Sequence, residues 1–97
     1  MNEKRTRRIS AEIVILAYLR HTNNGKFKII DKHSGLNSDL EEAGKKQIGI
    51  APFRFWMQYF TEKTFEVKKL DKGFRQLTDK GINEREISTF KQIMVML

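Results

Sequence analysis

Residues 65–77, FEVKKLDKGFRQL, change the period of an otherwise helical chain. Phe65 and Val67 alternate inward with Glu66 and Lys68 outward, as a half-buried strand requires. LDKG supplies a tight turn in which Gly73 can take positive φ. FRQL returns as a second strand, with Phe74 and Leu77 as its apolar contacts. Thr78 then caps a new helical segment. One hairpin among several helices makes this an α+β chain, mostly helical.

The helices are read from apolar spacing. SAEIVILAYLRH, residues 10–21, has Ser10 as N-cap and Glu12 near the helix N-terminus. Ile13, Val14, Leu16, Ala17 and Leu19 make it apolar over most of its circumference, so it is expected as the central core helix. TNNG, residues 22–25, stops it. In KFKIIDKHSGLNS, residues 26–38, Phe27, Ile29 and Ile30 fit a short strand or a short helix equally, and Ser34-Gly35 and Asn37-Ser38 signal turns. Asn37 or Ser38 can cap a helix through DLEEAGKK that ends at Gly44 or Gly49. APFRFWMQYFTEK, residues 51–63, places Pro52 in a first helical turn. An aromatic core side follows, with a narrow polar stripe of Arg54, Gln58 and Thr61 at i, i+4 and i+7. In the last element Ile87, Phe90, Met94 and Leu97 repeat at three and four, with Ile93 beside them. Asn83 and Glu86 have capping-box spacing if that helix restarts at Gly81.

Three helices followed by a basic two-stranded hairpin is the order of a winged helix-turn-helix. GFRQLTDKG, residues 73–81, resembles the Y-x-LT-x-KG passage where the wing of MarR- and PadR-type transcriptional regulators runs into their C-terminal helix. Phe74, Leu77, Thr78, Lys80 and Gly81 carry the resemblance. It implies three helices, a two-stranded β wing and a C-terminal helix, in a double-stranded-DNA-binding transcriptional regulator whose terminal helices form a homodimer. The domain reading that follows is a basic arm over 1–9, a winged-helix domain over 10–81 and a C-terminal helix over 82–97 as dimerisation element. The chain departs from that family pattern in its long stretch before the aromatic helix, its acidic second helix and its aromatic recognition helix. A rival register places the helix-turn-helix at KIIDKHSGLNSDLEEAGKK with its turn at Gly35. That register would bring Asp39, Glu41 and Glu42 to phosphate, which is electrostatically poor.

The bulk numbers agree with a polyanionic partner. The 97 residues carry a net charge of +7, with 32% charged and 39% hydrophobic residues, a globular balance whose sign favours nucleic acid. There is no cysteine, hence no disulfide or thiolate metal site. No 18-residue apolar run reads as a membrane span, and the basic N-terminus lacks a signal cleavage site. The expected location is the cytoplasm. No catalytic, cofactor or metal motif is found. AGKKQ lacks the earlier glycine of a phosphate loop, since Asp39 stands there. His21 and His33 are isolated from each other and read as surface or helix-end residues. Glu41-Glu42 and Glu84/Glu86 read as solvated carboxylates.

The candidate DNA contacts are therefore four groups. Arg54, Gln58 and Thr61 are the base readers, because Arg pairs with guanine and Gln with adenine in the major groove. Lys68, Lys69, Lys72 and Arg75 of the wing, with Lys45 and Lys46 ahead of the aromatic helix, are the phosphate contacts. Lysines also guard exposed hairpin edges, so a plain surface hairpin stays open. The arm residues Lys4, Arg5, Arg7 and Arg8 suit an adjacent minor groove. Ile87, Phe90, Ile93, Met94 and Leu97 are the dimerisation set, unless the helix folds back on its own domain. Trp56 reads as core before it reads as a base-stacking platform. The alternative functions are a winged-helix protein-interaction module or an RNA-binding module.

Overall fold

The computed structural model describes residues 9–83 and 85–97. Helix α1 spans Ala11–His21. Strand β1, Phe27–Lys28, runs directly into α2, Ile29–Glu42. Helix α3 is Ile50–Glu62. Strands β2, Val67–Lys69, and β3, Phe74–Leu77, flank a 3₁₀ turn at Asp71–Gly73. Short α4, Asp79–Asn83, and α5, Phe90–Met96, complete the chain. The protein is a small α+β structure with one three-stranded antiparallel sheet of order β1-β3-β2. The hairpin expected from sequence is thus joined by a third strand from the ambiguous 26–38 segment.

Helix α1 is the core helix. Ser10 Oγ accepts from the Ile13 N–H at 3.4 Å, and Glu12, Arg20 and His21 all sit at the ends their charges favour. Every residue from Val14 to Leu19 is buried. A side chain of that size contributes about 1.5–3 kcal/mol on full burial, so this six-residue run is the main reason the other elements gather on it.

The helix α2 runs straight through both expected turns, which removes the rival register at Gly35. Leu36 and Leu40, one helical turn apart, are both buried and hold this stretch to α1 and α3. Gly35 serves close packing and not a turn: a Cβ there would overlap the Tyr18 hydroxyl. Asn37 does not cap its own helix. Its Oδ1 accepts from the Ile48 N–H at 2.8 Å and its Nδ2 donates to the Ile48 carbonyl at 2.7 Å, tying the 43–49 connection back onto α2. The helix ends at Gly44, whose φ of +71° lets Lys45 N–H reach Leu40 O and Gly44 N–H reach Glu41 O, a Schellman closure.

The helix α3 buries Phe53, Met57 and Phe60 completely. The next segment corrects the expected alternation at 65–66. Phe65 is 62% exposed and Glu66 only 2%, the reverse of the strand pattern. Phe65 takes φ +58°, a costly conformation for a bulky residue, and the kink turns two consecutive residues, Glu66 and Val67, inward. The kink is held by Thr78 Oγ1 donating to Phe65 O at 2.7 Å and by Glu66 N–H donating to Phe60 O at 2.9 Å. Regular alternation begins only at Val67, with Val67 opposite Leu77, Lys68 opposite Gln76 and Lys69 opposite Arg75.

The chain end also differs from expectation. Thr78 does cap α4, its Oγ1 accepting from the Gly81 N–H at 3.1 Å. The helix then stops, and α5 starts from Thr89, which forms a complete capping box with Gln92. Asn83 and Glu86 play no such part. The Phe90 ring meets Tyr18 edge-on at 5.2 Å, and Phe90 and Ile93 are buried in the same core as α1. Those two members of the expected dimerisation set are therefore consumed by their own chain.

Candidate nucleic-acid interface

The sheet face turned toward the helices changes character along its length. Val67 and Leu77, paired across the ladder, are buried against the core, and Phe27 is buried beside Arg75. Two residues further along the same face stand Lys69 and Arg75, paired across the ladder. Beyond the core, this face and the outer flank of α3 enclose a groove of about 620 Å³. Its lining holds Arg54, Lys69, Lys72 and Arg75 against one carboxylate, Glu62, with Lys28 at its edge; the Lys28 side chain itself lies on the opposite sheet face, paired with Phe74. Gln58 and Thr61 complete the α3 side. Lys72 reaches the rim because the turn places it at φ +60° ahead of Gly73 at +80°; both residues, and not Gly73 alone, are left-handed.

Arg54, Gln58 and Thr61 do share one flank, but they are not equivalent. Arg54 and Gln58 are exposed. Gln58 Nε2 lies 3.3 Å from both Glu62 oxygens. Thr61 is half-buried, its hydroxyl donating to Met57 O at 2.7 Å and accepting from Arg75 at 3.4 Å. Thr61 is thus a seat for Arg75 and has no hydrogen to offer a base. Arg75 Nε is buried without a hydrogen-bond partner, and no carboxylate pairs with Arg75 among the described residues.

The other expected contacts scatter. Lys68 is exposed on the opposite sheet face, beside Gln76. Lys45 and Lys46 do not line the groove. Lys45 Nζ donates to the Leu97 main-chain oxygen at 2.8 Å, and Lys46 borders an apolar recess with Ile9, Val14, Leu40 and Ile48. Lys4, Arg5, Arg7 and Arg8 lie outside the described residues. Lys28 borders the groove edge, but its alternation with buried Phe27 turns its side chain to the opposite sheet face. Lys26 and Lys28 both stand over the Phe74 ring, at 4.6 and 5.3 Å.

Three further half-buried cations lie outside the groove, of which Arg85 is paired with carboxylates, while Arg20, like Arg75, has one buried nitrogen (here Nη2) without a hydrogen-bond partner. Arg85 donates from Nε and Nη2 to the two Glu66 oxygens at 3.1 and 2.8 Å, and from Nη1 to Glu12. Burial works to lower the Arg85 pKa, but the hydrogen bonds and charges of Glu66 and Glu12 leave it raised on balance. Arg20 Nε donates to Gly81 O at 2.6 Å, and burial is the main cause lowering its pKa. Lys32 is likewise depressed by burial; its Nζ donates to Thr22 O and Oγ1 at 3.0 and 2.9 Å. His33 Nε2 lies 2.8 Å from Ile48 O, and His21 packs on Phe90, so each histidine has a packing role.

No family profile, curated protein or solved structure matches the chain. Among the described residues, no helix is long and apolar enough to cross a membrane, and no group of three potential ligands is placed to hold a metal ion.

Proposed function

We propose that this chain is a double-stranded-DNA-binding winged-helix protein that acts as a small transcriptional regulator. The helix α3 enters the major groove, the β2–β3 hairpin is the wing, and the α2–α3 pair is the helix-turn-helix. The observation that carries this reading is the groove between α3 and the hairpin, lined by Arg54, Lys69, Lys72 and Arg75 against one carboxylate. Cations on a strand and a helix flank that converge without matching acids suit the phosphates on either side of a major groove. Arg54 and Gln58 supply the donors and acceptors for base edges, once Gln58 exchanges its Glu62 contact for a base. A homodimer would use the part of α5 that its own core leaves open, where Val95 is 84% and Met96 53% exposed.

The test is a titration of the protein against duplex DNA, single strands and structured RNA over a salt series, with light scattering for the oligomeric state. Duplex preference with a steep salt slope supports the reading. Absence of duplex binding at low salt overturns it, and preference for RNA moves the groove to an RNA-binding role.

A further inference from the structure

Phe55 is the outlier on the exposed side of α3. Its ring is 60% exposed, although the same helix buries Phe53 and Phe60 entirely. Helical geometry puts Phe55, Gln58 and Glu62 at i, i+3 and i+7, along the ridge farthest from the core. Phe55 therefore stands beside the groove-lining residues and projects furthest outward with them. Its ring is also braced. It meets Trp56 edge-on at 5.0 Å and 83°, and Trp56 meets Tyr59 in the same way at 5.2 Å and 85°. Trp56 and Tyr59 are half-buried against the core, so the exposed ring rests on a chain of fixed aromatics.

We propose that Phe55 is a specificity-determining residue that reads the 5-methyl group of a pyrimidine in the major groove. This rests on the placement of α3 in that groove. The chemistry follows from the surface a duplex offers there. Hydrogen-bonding edges cover most of the major groove, and the C5-methyl of thymine is the apolar feature that a side chain such as Phe contacts. The ring has no donor or acceptor to satisfy, and its position is set before binding, so little ordering entropy is lost on contact. A 5-methylcytosine presents the same methyl group at the same ring position, so the two sources share one chemistry. Arg54 and Gln58 beside it read the hydrogen-bonding edges of neighbouring bases.

The experiment starts from the duplex best bound in a selection from a random pool by the unaltered protein. That duplex is remade with deoxyuridine at every thymine, and separately with 5-methylcytosine at every cytosine. Covering one methyl group predicts about fourfold weaker binding of the uracil duplex, by the ~0.8 kcal/mol of a buried carbon. Phe55→Ala should bind the thymine and uracil duplexes alike, and Phe55→Leu should keep part of the difference. Tighter binding of the methylcytosine duplex by the unaltered protein alone, and not by Phe55→Ala, would identify methylated cytosine as the source. Equal affinity of the unaltered protein for all three duplexes overturns the inference, as does a thymine–uracil difference that survives in Phe55→Ala. Either result leaves the duplex-binding reading intact, whereas failure of the selection to recover any duplex overturns that reading itself. The comparison on the unaltered protein needs no variant to fold.

Discussion

Arg75 and Arg85 are both half-buried arginines, each packed where two elements meet, and they are used in opposite ways. Arg85 lies against Glu66 and Glu12, so its charge is matched within the protein. Arg75 has a threonine hydroxyl and an unpartnered Nε. The first arrangement ties α1, the start of the hairpin and the segment after α4 into one unit. The second leaves a half-buried positive charge in the groove lining with no carboxylate partner among the described residues. A cation closed by carboxylates adds no net charge to its surroundings; one held by hydroxyls and carbonyls alone keeps its positive charge, as Arg75 does at the groove and Arg20 does beside Gly81.

Of the two arginines, Arg85 is the one the fold depends on. Glu66 keeps only 3% of its side-chain surface exposed, against 33% for Arg85, so removing Arg85 strands a buried carboxylate. Arg85→Ala should cost about 3 kcal/mol of stability in urea unfolding, while the folded fraction keeps its duplex affinity. Arg75→Ala should do the reverse: about 2 kcal/mol of duplex affinity lost, a salt slope lower by about one, and unfolding shifted by no more than about 0.5 kcal/mol. If both variants lose stability alike, the contrast fails.

Arg54→Ala sharpens the division within the groove. It should lower affinity for the preferred duplex by about 1–2 kcal/mol and relax preference at one base pair, as seen in a binding-site selection. Lys46→Ala should change duplex affinity by no more than about 0.3 kcal/mol, because Lys46 lies outside the groove; a loss equal to that of Lys69→Ala would extend the interface to the α2–α3 connection.

Lys32 provides the smallest effect. It is a half-buried cation held by a hydroxyl and a carbonyl, closer in kind to Arg75 than to Arg85. Burial lowers its folded pKa below the ordinary 10.5, so between the folded value and 10.5 the unfolded chain binds more protons. Stability should therefore rise with pH through that window. Urea unfolding of the protein and of Lys32→Met, compared from pH 8 to 10.5, isolates the contribution: the gap between the two should change in favour of the unaltered protein as pH rises.

Helices at 10–21 and 51–63, the hairpin with its glycine turn and the cap at Thr78 were legible from local rules, and the structure bears them out within a residue or two. They were legible because each depends on near neighbours: apolar spacing over a few turns, a capping hydroxyl three residues from its amide, a glycine at positive φ. That Arg54 and Gln58 share one exposed flank of α3 is legible for the same reason, since a shared helix flank is a matter of period. Thr61 lies on the same flank, but its hydroxyl is engaged by Met57 O and by Arg75, fourteen residues on, which period alone does not reveal.

The remaining features depend on distant partners. Gly35 looks like a turn until Tyr18 is seen to need the space above it. Glu66 looks like a solvent-facing strand residue until Arg85 is brought to it, and Phe65 then accepts an unfavourable φ so that Glu66 can turn inward. Lys28 is turned to the Phe74 side of the sheet because β1 pairs with β3, while Lys45 is drawn away to the end of α5. Periodicity along the chain thus set which faces are apolar and where the hairpin turns, and composition set the excess of positive charge. Burial, charge pairing and close backbone approach between residues far apart in sequence decided which of those cations are neutralised and which are left facing the groove.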